Sequence, residues 1–189
     1  MRDLTKSKLS DQNQRREAMN LERVTLVIGG ARSGKSVYAE SLAGDTQSDP
    51  VYIATGTPND VEMAARIQEH RARRGERWRT IEEPLNLASA IARDAVPGHV
   101  VLVDCLTLWL ANIMAAKYDP ATETGQLIRT LDAAAGPVIL VANEVGLGIV
   151  PDNVLAREFR DHAGWLNQAV AGVADRVIFV TAGLPMRLK

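Results

Sequence analysis

Eight consecutive residues, Gly29-Gly30-Ala31-Arg32-Ser33-Gly34-Lys35-Ser36, fit the pattern G-x-x-x-x-G-K-S/T of a phosphate-binding loop. The pattern calls for binding a nucleotide triphosphate. Glycines let the backbone take positive φ and approach phosphate oxygens closely. The N–H groups of the loop and of the helix that follows then point at the anion. Lys35 is expected to reach the β- and γ-phosphates, and Ser36 to offer its hydroxyl to Mg²⁺. The competing reading is an ordinary glycine-rich turn between strand and helix.

A second element is Val100-Val101-Leu102-Val103-Asp104, four apolar residues ending in a carboxylate. Following a phosphate loop, it has the form of a Walker B strand, whose Asp holds Mg²⁺ directly or through water. Asp104 could instead cap a helix opening at Leu106. Glu144 ends the next apolar run and should lie on the same rim, since ligands of open α/β sheets collect at strand C-termini.

The third element is basic. Residues 62–74 read as a helix with Met63 and Ile67 on its buried stripe, His70 near its edge, and Arg71, Arg73 and Arg74 around the histidine. Arg77 and Arg79 follow. Composition alone fits a solvated face. The chemical reading is a phosphate clamp around an imidazole that acts as nucleophile in phosphoryl or nucleotidyl transfer. An imidazole with an ordinary pKa of about 6.5 is largely neutral at pH 7, and nearby arginines depress that pKa further. The residues themselves leave both readings open.

These groups need a scaffold, and the chain supplies one. Five apolar runs, Val24–Ile28, Val51–Ala54, Val100–Val103, Val138–Ala142 and Val177–Val180, alternate with helical material. Their near-continuous apolarity suits strands covered on both faces, as in a parallel sheet. Crossover helices are expected at Asn59–Arg74, Leu85–Arg93, Leu106–Lys117 and Thr122–Ala134. A long last helix follows, with Asp152 as N-cap and Leu155, Phe159, Leu166, Val170 and Val173 as its apolar stripe. Trp78–Ile81 adds a short strand, and His99 falls in a loop. The expectation is a three-layer α/β domain.

Composition narrows the classes. At 189 residues one domain is expected over residues 23–189, with residues 1–22 a mobile tail. A net charge of −1 and 4% aromatic residues give no reason to expect nucleic acid. Cys105 is the single cysteine, which excludes an intramolecular disulfide and suits a reducing cytoplasm. No stretch approaches the ~20 apolar residues of a membrane span.

Several blocks together carry a resemblance over Val24 to the C-terminus. The phosphate loop at 29–36, Tyr-Ile-Ala-Thr at 52–55 and Glu-Met-Ala-Ala-Arg-Ile at 62–67 with His70 resemble the bifunctional adenosylcobinamide kinase/adenosylcobinamide-phosphate guanylyltransferase family. So do Trp-Arg-Thr at 78–80 with Glu82, Asn-Glu-Val-Gly at 143–146 and Gly-Ile-Val-Pro at 148–151. The resemblance implies a RecA-like P-loop fold and two steps of coenzyme B12 assembly. First, the γ-phosphate of GTP or ATP passes to adenosylcobinamide. Then a histidine attacks the α-phosphorus of GTP and hands GMP to adenosylcobinamide phosphate, with release of pyrophosphate. By the same resemblance the nucleophile falls on His70. Thr55, Gly56, Thr57, Arg71, Ala72, Arg73, Arg74, Glu82 and Asp104 then join Gly29 through Ser36 in binding the nucleotide. Ser36 and Asp104 hold Mg²⁺; Asp104 stands where relatives can carry Glu, which keeps the carboxylate with a shorter reach. The resemblance also implies a homo-oligomer, a trimer.

Two rival functions follow from the phosphate loop alone. A small-molecule kinase of other specificity would transfer the γ-phosphate without a covalent intermediate. A nucleotide-dependent switch would change partner affinity, but the N-K-x-D motif of guanine-specific switches is missing from the sequence.

Overall fold

The structure, a computed structural model, describes residues 21–57, 75 and 77–189. The expected helix Asn59–Arg74 lies outside the described residues, as do residues 1–20 of the expected tail. The elements in chain order are β1 (Val24–Gly29), α1 (Lys35–Gly44), β2 (Asp49–Ala54), β3 (Arg79–Glu82), α2 (Leu87–Asp94) and β4 (His99–Asp104). They continue with α3 (Leu106–Ala115), α4 (Pro120–Ala133), β5 (Val138–Asn143), α5 (Val154–Val173), β6 (Arg176–Thr181) and β7 (Leu184–Arg187).

The strands form one seven-stranded sheet in the order β3-β2-β4-β5-β1-β6-β7. Every pairing is parallel except that of β7, which runs antiparallel to β6. The expected three-layer α/β architecture is therefore present. Alternate residues of each central strand enter two separate cores. Val24, Leu26, Ile28, Val101, Val103, Val138 and Leu140 face α2–α5, packing on Leu87, Ile91, Trp109, Leu110, Leu127, Leu131 and Val170. Val27, Val100, Leu102, Ile139 and Val141 face α1, packing on Ala39, Leu42 and Ala43. Burial on both faces is why these strands read as unbroken apolar runs. Each fully buried aliphatic side chain contributes about 1.5–3 kcal/mol.

The five expected strands are all present, each longer by a residue or more at its ends, and the short strand expected at Trp78–Ile81 appears as β3. Several local expectations need correction. The N-cap of α5 is Asn153, whose Oδ1 accepts from the Ala156 N–H at 2.7 Å, not Asp152. Leu155 on the expected stripe is 66% exposed, as its neighbour Val154 is also exposed; the buried stripe is Ala163, Leu166, Asn167 and Val170. Helix α4 opens at Pro120, two residues earlier than expected, since Asp119 caps it by accepting from the Thr122 N–H at 2.9 Å. Helix α2 opens at Leu87 rather than Leu85, and α3 ends at Ala115, two residues before Lys117 turns to φ 62°. His99 is the first residue of β4, not a loop residue. Strand β7 was not expected, because all four of its residues are exposed and leave no apolar signature.

The chain entering β1 is tied down. Arg176 and Arg187 both donate to Glu22 Oε1 at 3.2 Å, and Arg23 Nη1 donates to the Leu131 carbonyl at 2.7 Å.

Candidate active site

Parallel pairing puts the C-terminal ends of β1, β2, β3, β4, β5 and β6 along one rim, where Gly29, Glu82, Asp104 and Glu144 stand at or just past the strand ends. Gly29 is the last residue of β1, level with Asn143 of β5 and Val180 of β6. A Cβ on Gly29 would come within 2.3 Å of the Val180 carbonyl oxygen, so only glycine fits where the phosphate loop leaves the sheet. The loop then turns with Arg32 at φ 56° and Gly34 at φ 98°, and α1 starts at Lys35. Glycine at 34 meets the left-handed conformation without steric cost. The first turn of α1 thus opens directly from the loop, presenting the helix end that favours an anion.

Lys35 is 8% exposed, and its Nζ donates to the Gly30 carbonyl at 2.8 Å, folding the ammonium back across the loop. Ser36 is half-buried on the same turn. Asp104 ends β4 and is paired in register with Ala54 of β2 and Val141 of β5, so β5 stands between it and the loop strand. Its carboxylate accepts from Tyr52 Oη at 3.2 Å. Asp104 is not a helix cap: the N-cap of α3 is Cys105.

Cys105 reports the electrostatics between these groups. Burial pushes its thiol up to about 11 and the Asp104 charge pushes the same way, while backbone hydrogen bonds and the Lys35 ammonium oppose them. The thiol stays protonated at neutral pH.

Thr55, Gly56 and Thr57 follow β2. Thr55 is fully buried, and its hydroxyl is spent on the backbone: it donates to the Cys105 carbonyl at 2.7 Å and accepts the Cys105 N–H at 2.8 Å. Its side chain therefore shapes the turn after Asp104, and Gly56 and Thr57 lie half-buried beyond it. Glu82 is exposed at the end of β3, two strands from Asp104. Glu144 lies on the rim as expected: its N–H donates to the Gly29 carbonyl at 3.0 Å, and its carboxylate accepts from the Gly146 N–H. That carboxylate closes its own turn.

His70, Arg71, Ala72, Arg73 and Arg74 lie outside the described residues. Of the basic residues read with them, the structure describes Arg77 and Arg79. Arg77 donates to the carbonyls of Gly44, Thr46 and Ser48 at 2.8–2.9 Å, closing the C-terminal end of α1. Arg79 opens the edge strand β3 and pairs with Asp94.

Four supporting residues were not singled out. Tyr52 holds Asp104, and Thr107 Oγ1 accepts the Asn143 N–H at 2.7 Å. Asn112 Nδ2 donates to the Thr55 carbonyl at 2.7 Å, and Asn167 Nδ2 donates to the Asn143 carbonyl at 3.4 Å. The available signal was a polar residue interrupting an apolar helix face, as Thr107 and Asn112 do in α3.

Ser36 and Asp104 offer hydroxyl and carboxylate oxygens, the hard donors a small divalent cation takes alongside water and phosphate oxygens. Among the described residues no three His, Cys, Asp or Glu side chains form a complete protein cage.

Residues 25–188 match the model of the CobU family, cobinamide kinase / cobinamide phosphate guanyltransferase. The chain belongs to this family. It is 51% identical over 167 residues to the bifunctional adenosylcobalamin biosynthesis protein CobP of Pseudomonas aeruginosa, a match covering 87% of this chain and 96% of that one. It is 43% identical over 179 residues to the bifunctional adenosylcobalamin biosynthesis protein CobU of Escherichia coli, covering 87% and 98%. Family membership makes the chain a bifunctional transferase of adenosylcobalamin biosynthesis, a cobinamide kinase and cobinamide-phosphate guanylyltransferase. Among solved structures, the RadB recombinase superposes with TM-score 0.51 at 15% identity, over 84% of this chain and 74% of that one. A type III secretion ATPase superposes with TM-score 0.55 at 11% identity, over 92% and 60%. These likenesses place the fold among RecA-like P-loop NTPases. Among the described residues no helix is long and apolar enough to cross a membrane.

Proposed function

We propose that the two family reactions are divided between two devices, each step consuming its own nucleoside triphosphate. The observation that carries this reading is the phosphate loop and its buried Lys35 on the rim that also bears Asp104. In the kinase step the terminal hydroxyl oxygen of adenosylcobinamide attacks the γ-phosphorus of GTP or ATP. The bond to the β–γ bridging oxygen breaks, the nucleoside diphosphate leaves, and the hydroxyl proton passes to solvent. Residues Gly29 through Ser36 bind and orient the phosphates, and Lys35 sets its charge against the β- and γ-oxygens. Ser36 and Asp104 hold Mg²⁺, which when bound neutralises charge on the phosphates. Thr55, Gly56, Thr57 and Glu82 border the nucleotide along the rim.

In the guanylyl step the His70 imidazole attacks the α-phosphorus of GTP, the bond to the α–β bridging oxygen breaks, and pyrophosphate leaves. A phosphate oxygen of adenosylcobinamide phosphate then attacks the same phosphorus and releases the imidazole, giving adenosylcobinamide-GDP. A covalent histidine splits one displacement between two anions into two easier ones. Arg71, Ala72, Arg73 and Arg74 supply the surrounding N–H groups and charge.

The test uses GTP labelled at the α- or γ-phosphorus, with Mg²⁺ and without corrinoid. The expected result is acid-labile, alkali-stable α-label on the wild-type protein, no γ-label, and no label on His70→Ala. Wild-type protein that binds GTP but keeps no α-label would remove the nucleophile. The resemblance also supports a cytoplasmic homotrimer. Sedimentation should then give three times the 20.5 kDa of one chain, and a monomer would refute it.

A further inference from the structure

The turn joining β6 to β7 sits against the phosphate loop from behind. Its Gly183 N–H donates to the Ser33 carbonyl at 2.8 Å, across 150 positions of chain. A Cβ on Gly34 would lie 3.2 Å from Gly183 Cα and 3.9 Å from Val180 Cγ1, so the glycine of the loop and the glycine of the turn are in close apposition.

Thr181 and Leu184 are paired, leaving a two-residue turn of Ala182 and Gly183. Both have positive φ, 50° and 78°, the pattern of a type I′ hairpin. Asn-Gly is the usual choice there; alanine in the left-handed region is strained. Strand β7 has every residue exposed, so core burial does not account for the hairpin. Pairing with β6 holds the strand, and the hydrogen bond to the loop fixes where its turn sits.

We propose that this turn is a strut that sets the shape of the phosphate loop, with Gly183 as a positioning residue for the transfer chemistry. The peptide between Ser33 and Gly34 is planar and trans, so its C=O and N–H point in opposite directions. Fixing the Ser33 carbonyl on Gly183 turns the Gly34 N–H away from the strut, toward the concave side of the loop. An amide aimed in advance at a phosphate oxygen costs no reorganisation when the nucleotide arrives. The strut meets the loop at Ser33 and Gly34. Its functional consequence rests on the nucleotide-site reading above.

Hydrogen exchange at the Gly183 amide, in the full chain with and without GTP, tests the strut directly. The expected result is exchange at least about tenfold below the unprotected rate without nucleotide, and slower again with GTP. Exchange at the unprotected rate in both states would overturn the proposal. A Gly183→Val variant, whose branched side chain resists positive φ, should weaken GTP binding about tenfold, and Gly183→Asn should restore most of it. A folded Gly183→Val protein with wild-type GTP affinity would also overturn it. If wild type itself bound no GTP, the nucleotide reading would fall, while exchange in the nucleotide-free protein would still decide whether the strut exists.

Discussion

Replacing Asp94 by Asn should cost stability and leave the chemistry alone. Asp94 ends α2 with its side chain 5% exposed, and it accepts hydrogen bonds from Arg79 and Arg93, the latter through Nε at 3.0 Å and Nη2 at 2.9 Å. Arg79 opens β3, so this carboxylate ties an edge strand to the helix layer at the end of the sheet opposite the phosphate loop. Hydrogen bonds to a charged group are each worth about 1.5–3 kcal/mol. The two guanidiniums, however, are 52% and 62% exposed, and solvent screens them. A net loss of about 2 kcal/mol is therefore expected for Asp94→Asn. At about 2–4 °C per kcal/mol for a chain of this size, the melting temperature should fall by roughly 4–8 °C.

The pH dependence has a definite sign. Burial pushes the Asp94 carboxyl up, but the paired arginines outweigh it and hold the carboxyl below its ordinary 3.8. A group depressed on folding stabilises fully above its unfolded value and loses that contribution as pH falls through its folded value. The gap in urea midpoint between wild type and Asp94→Asn should be full at pH 7 and close below 3.8. Pairing with Arg79→Gln should cost less than the sum of the two single changes, because they share one interaction. A variant melting within about 1 °C of wild type at pH 7, or a gap that stays constant into acid, would refute this account of the contact. Kinase turnover should be unchanged below the melting transition, since the ion pair lies away from the rim.

Two other outcomes follow from the same geometry. Native protein should resist iodoacetamide at pH 8, because the buried Cys105 thiol is held near 11; unfolding in urea should expose a single alkylation site by mass spectrometry. Gly29→Ala should force the added methyl against the Val180 carbonyl, which is backbone and cannot swing aside. Overpacking of this kind costs about 1–3 kcal/mol or more. Thermal melting with and without GTP should show both lower stability and a smaller nucleotide-induced shift.

Much of this protein is legible without coordinates. Strands β1, β2, β4, β5 and β6 are buried on both faces, so they need unbroken apolar runs, and such runs are visible in the chain. The phosphate loop is legible because glycine is required where Gly29 meets Val180 and where Gly34 takes φ 98°, and because Lys35 and Ser36 must follow at fixed spacing. Helix ends were read less well. Asp152 and Asn153 are both competent caps, and only the path of the chain into α5 selects the second.

Other features belong to the tertiary structure alone. Strand β7 exists through pairing with β6 and carries no apolar pattern, so nothing local announces it. Arg77 and Arg79 read as part of one basic run in the sequence, yet Arg77 closes α1 and Arg79 meets Asp94. Charge is counted along the chain, but a guanidinium acts where its strand carries it. Tyr52 reaches Asp104, and Gly183 reaches Ser33, across 52 and 150 positions of chain. The sequence by itself determined a phosphate-loop motif at a strand-to-helix junction in an α/β sheet, because that motif is made of contiguous residues. The strand order, the shared rim of Lys35 and Asp104, and the turn behind the loop were decided by tertiary structure, because each depends on which distant segments pack as neighbours.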